Sequence, residues 1–279
     1  MIRINEITRG RFGNRVFQYN ALVQLAAELG CEASCVQWEG NQFFNNIETC
    51  KIGQEDSKLL MWDDILSLEL EQFSADIDYI IGPCCIHNVF SRVTKRDPRE
   101  FFQINDEYKT ELSMDKTNVG IHIRGGDVIP ADDGKEIHPP EYYRRAIELV
   151  RENYDNAVYH ICTDDRMFDS YVQTVAYLEE NNLPYNVGSD NLFVDFSTLT
   201  ECDIIISSSS TFPASASVIG KKDKKVIHWD GWRERCLNHV PWNMAATSPD
   251  TRKWQLGFDN FWVDIFTNAN KYYKVWRVI

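Results

Sequence analysis

Val119-Gly-Ile-His-Ile-Arg-Gly-Gly-Asp127 decides how this chain folds. Its apolar part is nearly continuous instead of alternating with polar residues, which is the pattern of a strand buried on both faces in a parallel sheet. Such a strand must leave the sheet at its carboxyl end, and here that end is an arginine, two glycines and an aspartate. Runs of the same kind recur at Ile2 to Ile7, Ala33 to Trp38, Asp78 to Gly82, Ala157 to Cys162, Asp203 to Ser207 and Lys225 to Trp229. Helical periodicity lies between them. Phe12 to Leu29 carries Val16, Tyr19, Leu22, Val23, Ala26 and Ala27 on one stripe, with Gly30 as a stop signal. Pro140 to Asn153 presents Tyr143, Ala146, Ile147 and Val150 in the same way. Strand and helix alternate on both sides of the polar stretch Thr110 to Asn118, which predicts an α/β architecture with parallel sheets in two domains, 1–115 and 116–279. The aromatic stretches Trp254 to Trp262 and Tyr272 to Trp276 predict a terminal helix that packs back on the first domain.

The length agrees with two domains. At about 150 residues per domain, 279 residues exclude a mini-protein, and no fixed repeat period suggests a solenoid. Apolar residues make up 43% and charged residues 25%, with a mean hydropathy of −0.39, so a large core can form and disorder is not the main state. There are 29 basic and 42 acidic residues, a net charge of −13. That balance excludes nucleic acid and anionic membrane as partners held by overall charge. Any small anion needs a local cationic pocket. The eight cysteines show no paired metal-ligand spacing, and several sit in apolar runs, so buried thiols are expected in place of zinc ligands or disulfides. Met1-Ile-Arg-Ile-Asn-Glu6 has no apolar export segment, and the longest uncharged run, Ile204 to Gly220, is interrupted by serines and a proline. A cytoplasmic protein without a membrane span is the expectation.

Three segments offer chemistry. Gly10-Arg-Phe-Gly-Asn-Arg15 joins the first strand to the first helix, where glycines permit close backbone approach and a helix N-terminus favours an anion. It matches neither the dinucleotide nor the P-loop fingerprint, and a purely structural turn is an equal reading. In the second segment Arg124 emerges at a strand's carboxyl end, where open α/β sheets bind ligands and a guanidinium can grip a diphosphate bidentately. The competing reading is a structural salt bridge between Arg124 and Asp127. His122 reads as a satisfied core histidine. The third, Ser207-Ser-Ser-Ser-Thr-Phe-Pro213, opens a helix from Ala214 to Ile219 and offers hydroxyl and backbone donors to a phosphate, or else simply caps the helix. Thr163-Asp-Asp165 ends another strand, where it could cap the next turn or touch a nucleoside. Asp76 and Asp78 have the spacing of a hard-cation motif but lead into a strand.

Taken in order, these segments resemble the inverting fucosyltransferase superfamily: the α-1,2-fucosyltransferases and, more distantly, the α-1,6- and protein O-fucosyltransferases. The resemblance rests on Gly10-Arg-Phe-Gly-Asn-Arg-Val-Phe-Gln-Tyr19, His122-Ile-Arg-Gly-Gly-Asp127 and Cys202-Asp-Ile-Ile-Ile-Ser-Ser-Ser-Ser-Thr-Phe212, and it spans residues 1 to 232. In style, as a short chain without an export segment, it is also similar to cytosolic glycosyltransferases of large algal viruses.

The resemblance implies a GT-B fold of two Rossmann-like domains flanking an interdomain cleft. It implies transfer of one sugar from a nucleotide-sugar donor to a glycan hydroxyl, with inversion and without a metal or other cofactor. Arg124 would neutralise the diphosphate. Gly10, Arg11, Phe12, Gly13, Asn14 and Arg15 would form the donor turn of the first domain. Ser209, Ser210, Thr211 and Phe212 would hold phosphate beside His122, and Thr163, Asp164 and Asp165 would lie near the nucleoside. The general base would be Asp132 or Asp127, with Asp133, Glu136 and His138 nearby. Three positions depart from the family pattern. Gly125 stands for the second arginine, Arg15 for a glutamine, and Ala214-Ser215 for two tryptophans. GDP-fucose is therefore the family's default donor, and a UDP-pentose such as UDP-xylose is a second option. A donor-binding or carbohydrate-binding protein without catalysis is the alternative from a different class.

Overall fold

The computed structural model describes residues 2–4, 7, 10–47, 49, 58–60, 79–81, 97–125, 138–208, 210–221, 224–229 and 274–278. The chain divides into two compact units, one formed mainly by Met1–Tyr108 and the other by Lys109–Asp259 with Ala269–Ile279. The division falls at the start of the polar stretch that separates the two runs of alternation in the sequence.

In the first unit, β1 (Ile2–Ile4), β2 (Ala33–Cys35), β3 (Lys58–Leu60) and β4 (Tyr79–Ile81) form an all-parallel sheet in the order β2-β1-β4-β3. Helix α1 (Phe12–Leu29) begins and ends where the periodicity predicts. Gly30 terminates it in the left-handed region, at φ 61°, with Gly30 N donating to Ala27 O and Cys31 N to Ala26 O. That paired pattern satisfies carbonyls at the helix end that would otherwise be orphaned. Beyond the expected stripe, α1 also buries Phe17, Gln18, Asn20, Ala21, Gln24 and Leu25, so it is enclosed nearly all round. Around its first turn a set of rings packs on Phe12: Trp38 at 5.9 Å, Phe43 at 5.6 Å edge-on and Phe44 at 6.3 Å stacked. The short helix α2 (Gly40–Phe43) and its C-cap Phe44 deliver two of those rings.

In the second unit, β5 (Thr117–Ile123), β6 (Ala157–Thr163), β7 (Tyr185–Val187), β8 (Ile204–Ile206), β9 (Lys225–Trp229) and β10 (Lys274–Val278) form an all-parallel sheet in the order β10-β9-β8-β5-β6-β7. Helices α3 (Pro140–Arg151) and α4 (Asp169–Glu180) pack on one another, as do α5 (Leu192–Glu201) and α6 (Thr211–Ile219). The period of two along β5 shows that the pairs cover opposite faces. Val119, Ile121 and Ile123 join the core of α3 and α4, whereas a side chain on Gly120 would meet Leu199 of α5. Residues 118–123 are all buried, which is why the run is nearly continuous in apolar residues, with the buried His122 bonded to Ser208 Oγ.

Two expectations change. The last described segment, Lys274–Val278, is not helical: it adds a parallel edge strand to β9. Helix α6 starts at Thr211 and not at Ala214, with Pro213 inside its first turn, where the missing N–H has no intrahelical acceptor to lose. Among the described residues, Cys31, Cys35, Cys162 and Cys202 are free thiols, and no helix is long and apolar enough to cross a membrane.

Candidate functional site

The strand order places a switch point between β5 and β8. From β5 the chain crosses through α3 to β6 on one side; into β8 it arrives from α5 on the other face. In open α/β sheets, ligands bind outside the carboxyl ends of the strands at such a point. Arg124 follows β5 directly and is half-buried. The serine turn follows β8, so the topology brings both segments to one sheet edge.

The serine turn is built as a helix entry. Ser210 is the N-cap of α6, with extended φ −140° and ψ 141°, and its Oγ accepts from Phe212 N at 3.3 Å. Ser210 N donates to Ser208 O at 2.8 Å, and Thr211 opens the helix. A cap of this type stabilises by about 1 kcal/mol and leaves the first-turn N–H groups with a partial positive charge for an anion. His122 Nδ1 lies 2.6 Å from Ser208 Oγ, and its ring packs on Phe212 at 5.3 Å. The histidine is thus buried and satisfied, and it ties β5 to the turn. Ser209 lies outside the described residues.

Thr163, Asp164 and Asp165 end β6, next to β5. Asp164 Oδ1 accepts from Gly125 N at 2.9 Å and so braces the exit of β5 just after Arg124. Thr163 Oγ1 accepts from Asp165 N at 3.1 Å, while Asp165 Oδ1 accepts from Met167 N at 2.8 Å. Gly125, which stands where the motif's second arginine is expected, faces Phe168: a side chain there would come within 2.7 Å of Phe168 Cγ. A side chain at this position would have to displace the Phe168 ring.

In the first unit, Gly10 has φ 81°, and a side chain on it would collide with Asn14. Arg11 is the exposed N-cap of α1. Phe12 is anchored in the aromatic core, Gly13 is buried and Asn14 is half-buried beside Gly10. Arg15 pairs with Glu39 and donates from Nε to Gly10 O at 3.1 Å. Its charge is balanced inside the unit, and its reach back to Gly10 fastens the turn.

A residue absent from the sequence motifs enters at α5. A cavity of about 400 Å³ lies on the α5 face of the sheet, lined by Cys162 and His160 of β6, by Gly188 and Ser189 after β7, and by Asp195 in the first turn of α5. Asp195 is buried, and both Ser189 bonds, from N at 2.7 Å and from Oγ at 3.1 Å, fall on its Oδ1. Burial pushes its carboxyl up to about 6 against the pull of those bonds. The two helix entries touch, because Phe196 packs edge-on against Phe212 at 5.1 Å. An acid in the first turn of a helix that follows a strand exit is the signal that could have marked Asp195.

Asp127, Asp132, Asp133 and Glu136, like Asp76 and Asp78, lie outside the described residues. His138 is buried, with its ring 4.8 Å from that of Tyr142. Among the described residues no group of three His, Cys, Asp or Glu side chains could hold a metal ion.

Solved structures share this architecture. POFUT1 in complex with GDP-fucose superposes with a TM-score of 0.53 at 10% identity, over 81% of this chain and 96% of that one. The NodZ alpha-1,6-fucosyltransferase soaked with GDP-fucose gives 0.51 at 13% identity, over 82% and 94%. Fucosyltransferase NodZ from Bradyrhizobium gives 0.50 at 12% identity, over 78% and 92%. The fold is therefore the α/β, parallel-sheet fold of the GT-B fucosyltransferases. A search of curated proteins finds no match. The sequence model of glycosyl transferase family 11 matches residues 2–232, which contain every motif discussed above. This chain belongs to glycosyl transferase family 11 and is a glycosyltransferase of the fucosyltransferase superfamily.

Proposed function

We propose that the protein transfers one fucose from GDP-fucose to a hydroxyl of a glycan acceptor, with inversion at the anomeric carbon and without a metal ion. The observation that carries this reading is the adjacency of β5 and β8, which puts Arg124 and the Ser210-capped start of α6 just after the carboxyl ends of neighbouring strands. A guanidinium and a helix N-terminus together supply the positive charge that a departing nucleoside diphosphate requires. The acceptor oxygen attacks from the face opposite the diphosphate and gives its proton to a carboxylate, while the bond from the anomeric carbon to the phosphate oxygen breaks with its electron pair. On the motif alone we assign that carboxylate to Asp132 or Asp127.

Asp195 supports guanine as the base. An ionised carboxylate matches the adjacent N1–H and N2–H donors of guanine, while uracil presents one N–H between two carbonyls. Asp195 lines the cavity on the α5 face of the sheet, and α5 touches α6 through Phe196 and Phe212. Gly125 favours a second reading, a binding protein without catalysis, because it removes a cation from the motif.

Nucleotide release from GDP-fucose and UDP-xylose, measured with glycan acceptors with and without EDTA, tests the proposal. GDP release that survives EDTA is expected, and Arg124→Ala should lower it by at least about a hundredfold with little change in melting temperature. UDP release would replace the donor. No release with any donor, together with nucleotide binding, would establish the binding-protein reading. A large loss of melting temperature in Arg124→Ala would make that arginine structural.

A further inference from the structure

Two adjacent tyrosines in the first turn of α3 reach the strand ends that carry the site. Tyr142, 2% exposed, places its hydroxyl 2.8 Å from Ser207 O and 2.9 Å from Ile227 O. The first carbonyl belongs to the residue after β8, where the serine turn begins, and the second to the neighbouring strand β9. Ile227 O also accepts from Ser207 N at 2.9 Å, so the phenol seals the last rung between the two strands. Tyr143, 1% exposed, places its hydroxyl 3.4 Å from His122 O, two residues before Arg124. Their rings lie edge to face at 4.9 Å, with His138 packed on both, and Pro139-Pro140 sets the start of the helix. Burial raises the ionisation of both phenols well above the ordinary range, which keeps them as hydrogen-bond donors.

We propose that Tyr142 is a positioning residue for phosphate binding: its single hydroxyl proton, shared between Ser207 O and Ile227 O, pins the start of the serine turn to β9 at the carboxyl end of the sheet. The role is specific to the turn. Ser207 O lies beyond the last pair of β8, Ile206 with Ile227, and among the described residues its hydrogen-bond donor is the Tyr142 phenol. Loss of the hydroxyl leaves Ser207 O without this donor and lets the turn swing while the ring keeps its place in the core. The serine and backbone donors then no longer converge where Arg124 meets the diphosphate. This inference rests on the phosphate role proposed above for Arg124 and the serine turn.

The test compares wild type, Tyr142→Phe and Arg124→Ala by calorimetric titration with GDP and with guanosine. It adds amide hydrogen exchange of the ligand-free proteins at residues 208–212. Tyr142→Phe should weaken GDP by about tenfold, the size of one lost hydrogen bond, leave guanosine within about twofold, and speed exchange in the turn but not in α4. Equal weakening of GDP and guanosine, or GDP binding and exchange as in wild type, would overturn the proposal. Replacement of Tyr142 by 4-aminophenylalanine offers one N–H to each carbonyl and should restore slow exchange and GDP affinity. If the phenylalanine variant does not fold, this replacement decides alone, and fast exchange in its turn refutes the clamp. Failure of wild type to bind GDP, or full binding by Arg124→Ala, would instead remove the phosphate role of the site, while the exchange measurement still judges the clamp.

Discussion

His122 Nδ1 and Ser208 Oγ lie 2.6 Å apart, a direct bond between β5 and the turn that follows β8. The two strands pair only through Val119, Gly120 and Ile121 with Ile204, Ile205 and Ile206, so this side-chain bond continues the connection past the end of the ladder. Ser208→Ala should leave a buried imidazole nitrogen without this partner and cost about 1–3 kcal/mol in urea unfolding. His122→Phe keeps a ring against Phe212 and should cost less than Ser208→Ala if Ser208 turns to another acceptor. Equal stability of Ser208→Ala and wild type would show that the bond contributes nothing.

Gly125 and Phe168 are expected to be coupled. A methyl at residue 125 meets Phe168 Cγ at 2.7 Å, so Gly125→Ala should destabilise by about 1–3 kcal/mol through overpacking. In a Phe168→Ala background the same change should be nearly neutral. The double-mutant cycle in urea measures the coupling. Restoring the motif's second arginine, Gly125→Arg, should likewise be tolerated only when Phe168 is trimmed.

Asp195 should make both stability and nucleotide affinity depend on pH. Its native carboxyl titrates near 6 because of burial, against about 3.9 in the unfolded chain. The native state therefore binds more protons between these values, and stability falls as pH rises from about 4 to 6, by up to about 3 kcal/mol. Asp195→Asn should remove that fall, as followed by thermal melts across the same range. GDP affinity should move the other way, rising as pH passes 6 and the carboxylate forms. An Asp195→Asn protein with the same pH profile as wild type would contradict the assignment.

Arg15 should matter less to nucleotide affinity than Arg124. Its guanidinium is engaged by Glu39 and by Gly10 O, so Arg15→Gln removes a clasp and not an open cation. The pair is partly exposed, and its loss should cost about 0.2–1 kcal/mol in urea unfolding. In the GDP titration, Arg15→Gln should weaken binding by less than about threefold, against the far larger loss in Arg124→Ala. A comparable loss in both variants would return Arg15 to the ligand.

The elements that the sequence displays most openly are those whose stabilising contacts are local or uniform. The span Phe12–Leu29 follows from its own period and from Gly30. The run Asn118 to Ile123 is legible as a two-face-buried strand because Val119, Gly120, Ile121 and Ile123 do not alternate with exposed polar residues. The chain end misleads for the opposite reason: aromatic density at Tyr272 to Trp276 does not say whether the segment is a helix or, as Lys274–Val278 is, a strand beside β9. The serine run shows its capping chemistry, yet not that Ser208 belongs to His122 and Ser210 to the helix.

By itself, the sequence determined the α/β class, the parallel strands, the strand exits at Arg124 and Ser207, and the family that those motifs identify. Spacing and residue type encode these directly, since they depend on neighbours along the chain. Only the tertiary structure decided that β5 lies beside β8, that Arg15 is spent on Glu39, that a side chain on Gly125 would meet Phe168, that Asp195 lines a cavity with β6, and that the Tyr142 phenol reaches Ser207 O. Each of these is a contact between residues far apart in sequence. Such contacts arise from sheet order and packing, which no local pattern records.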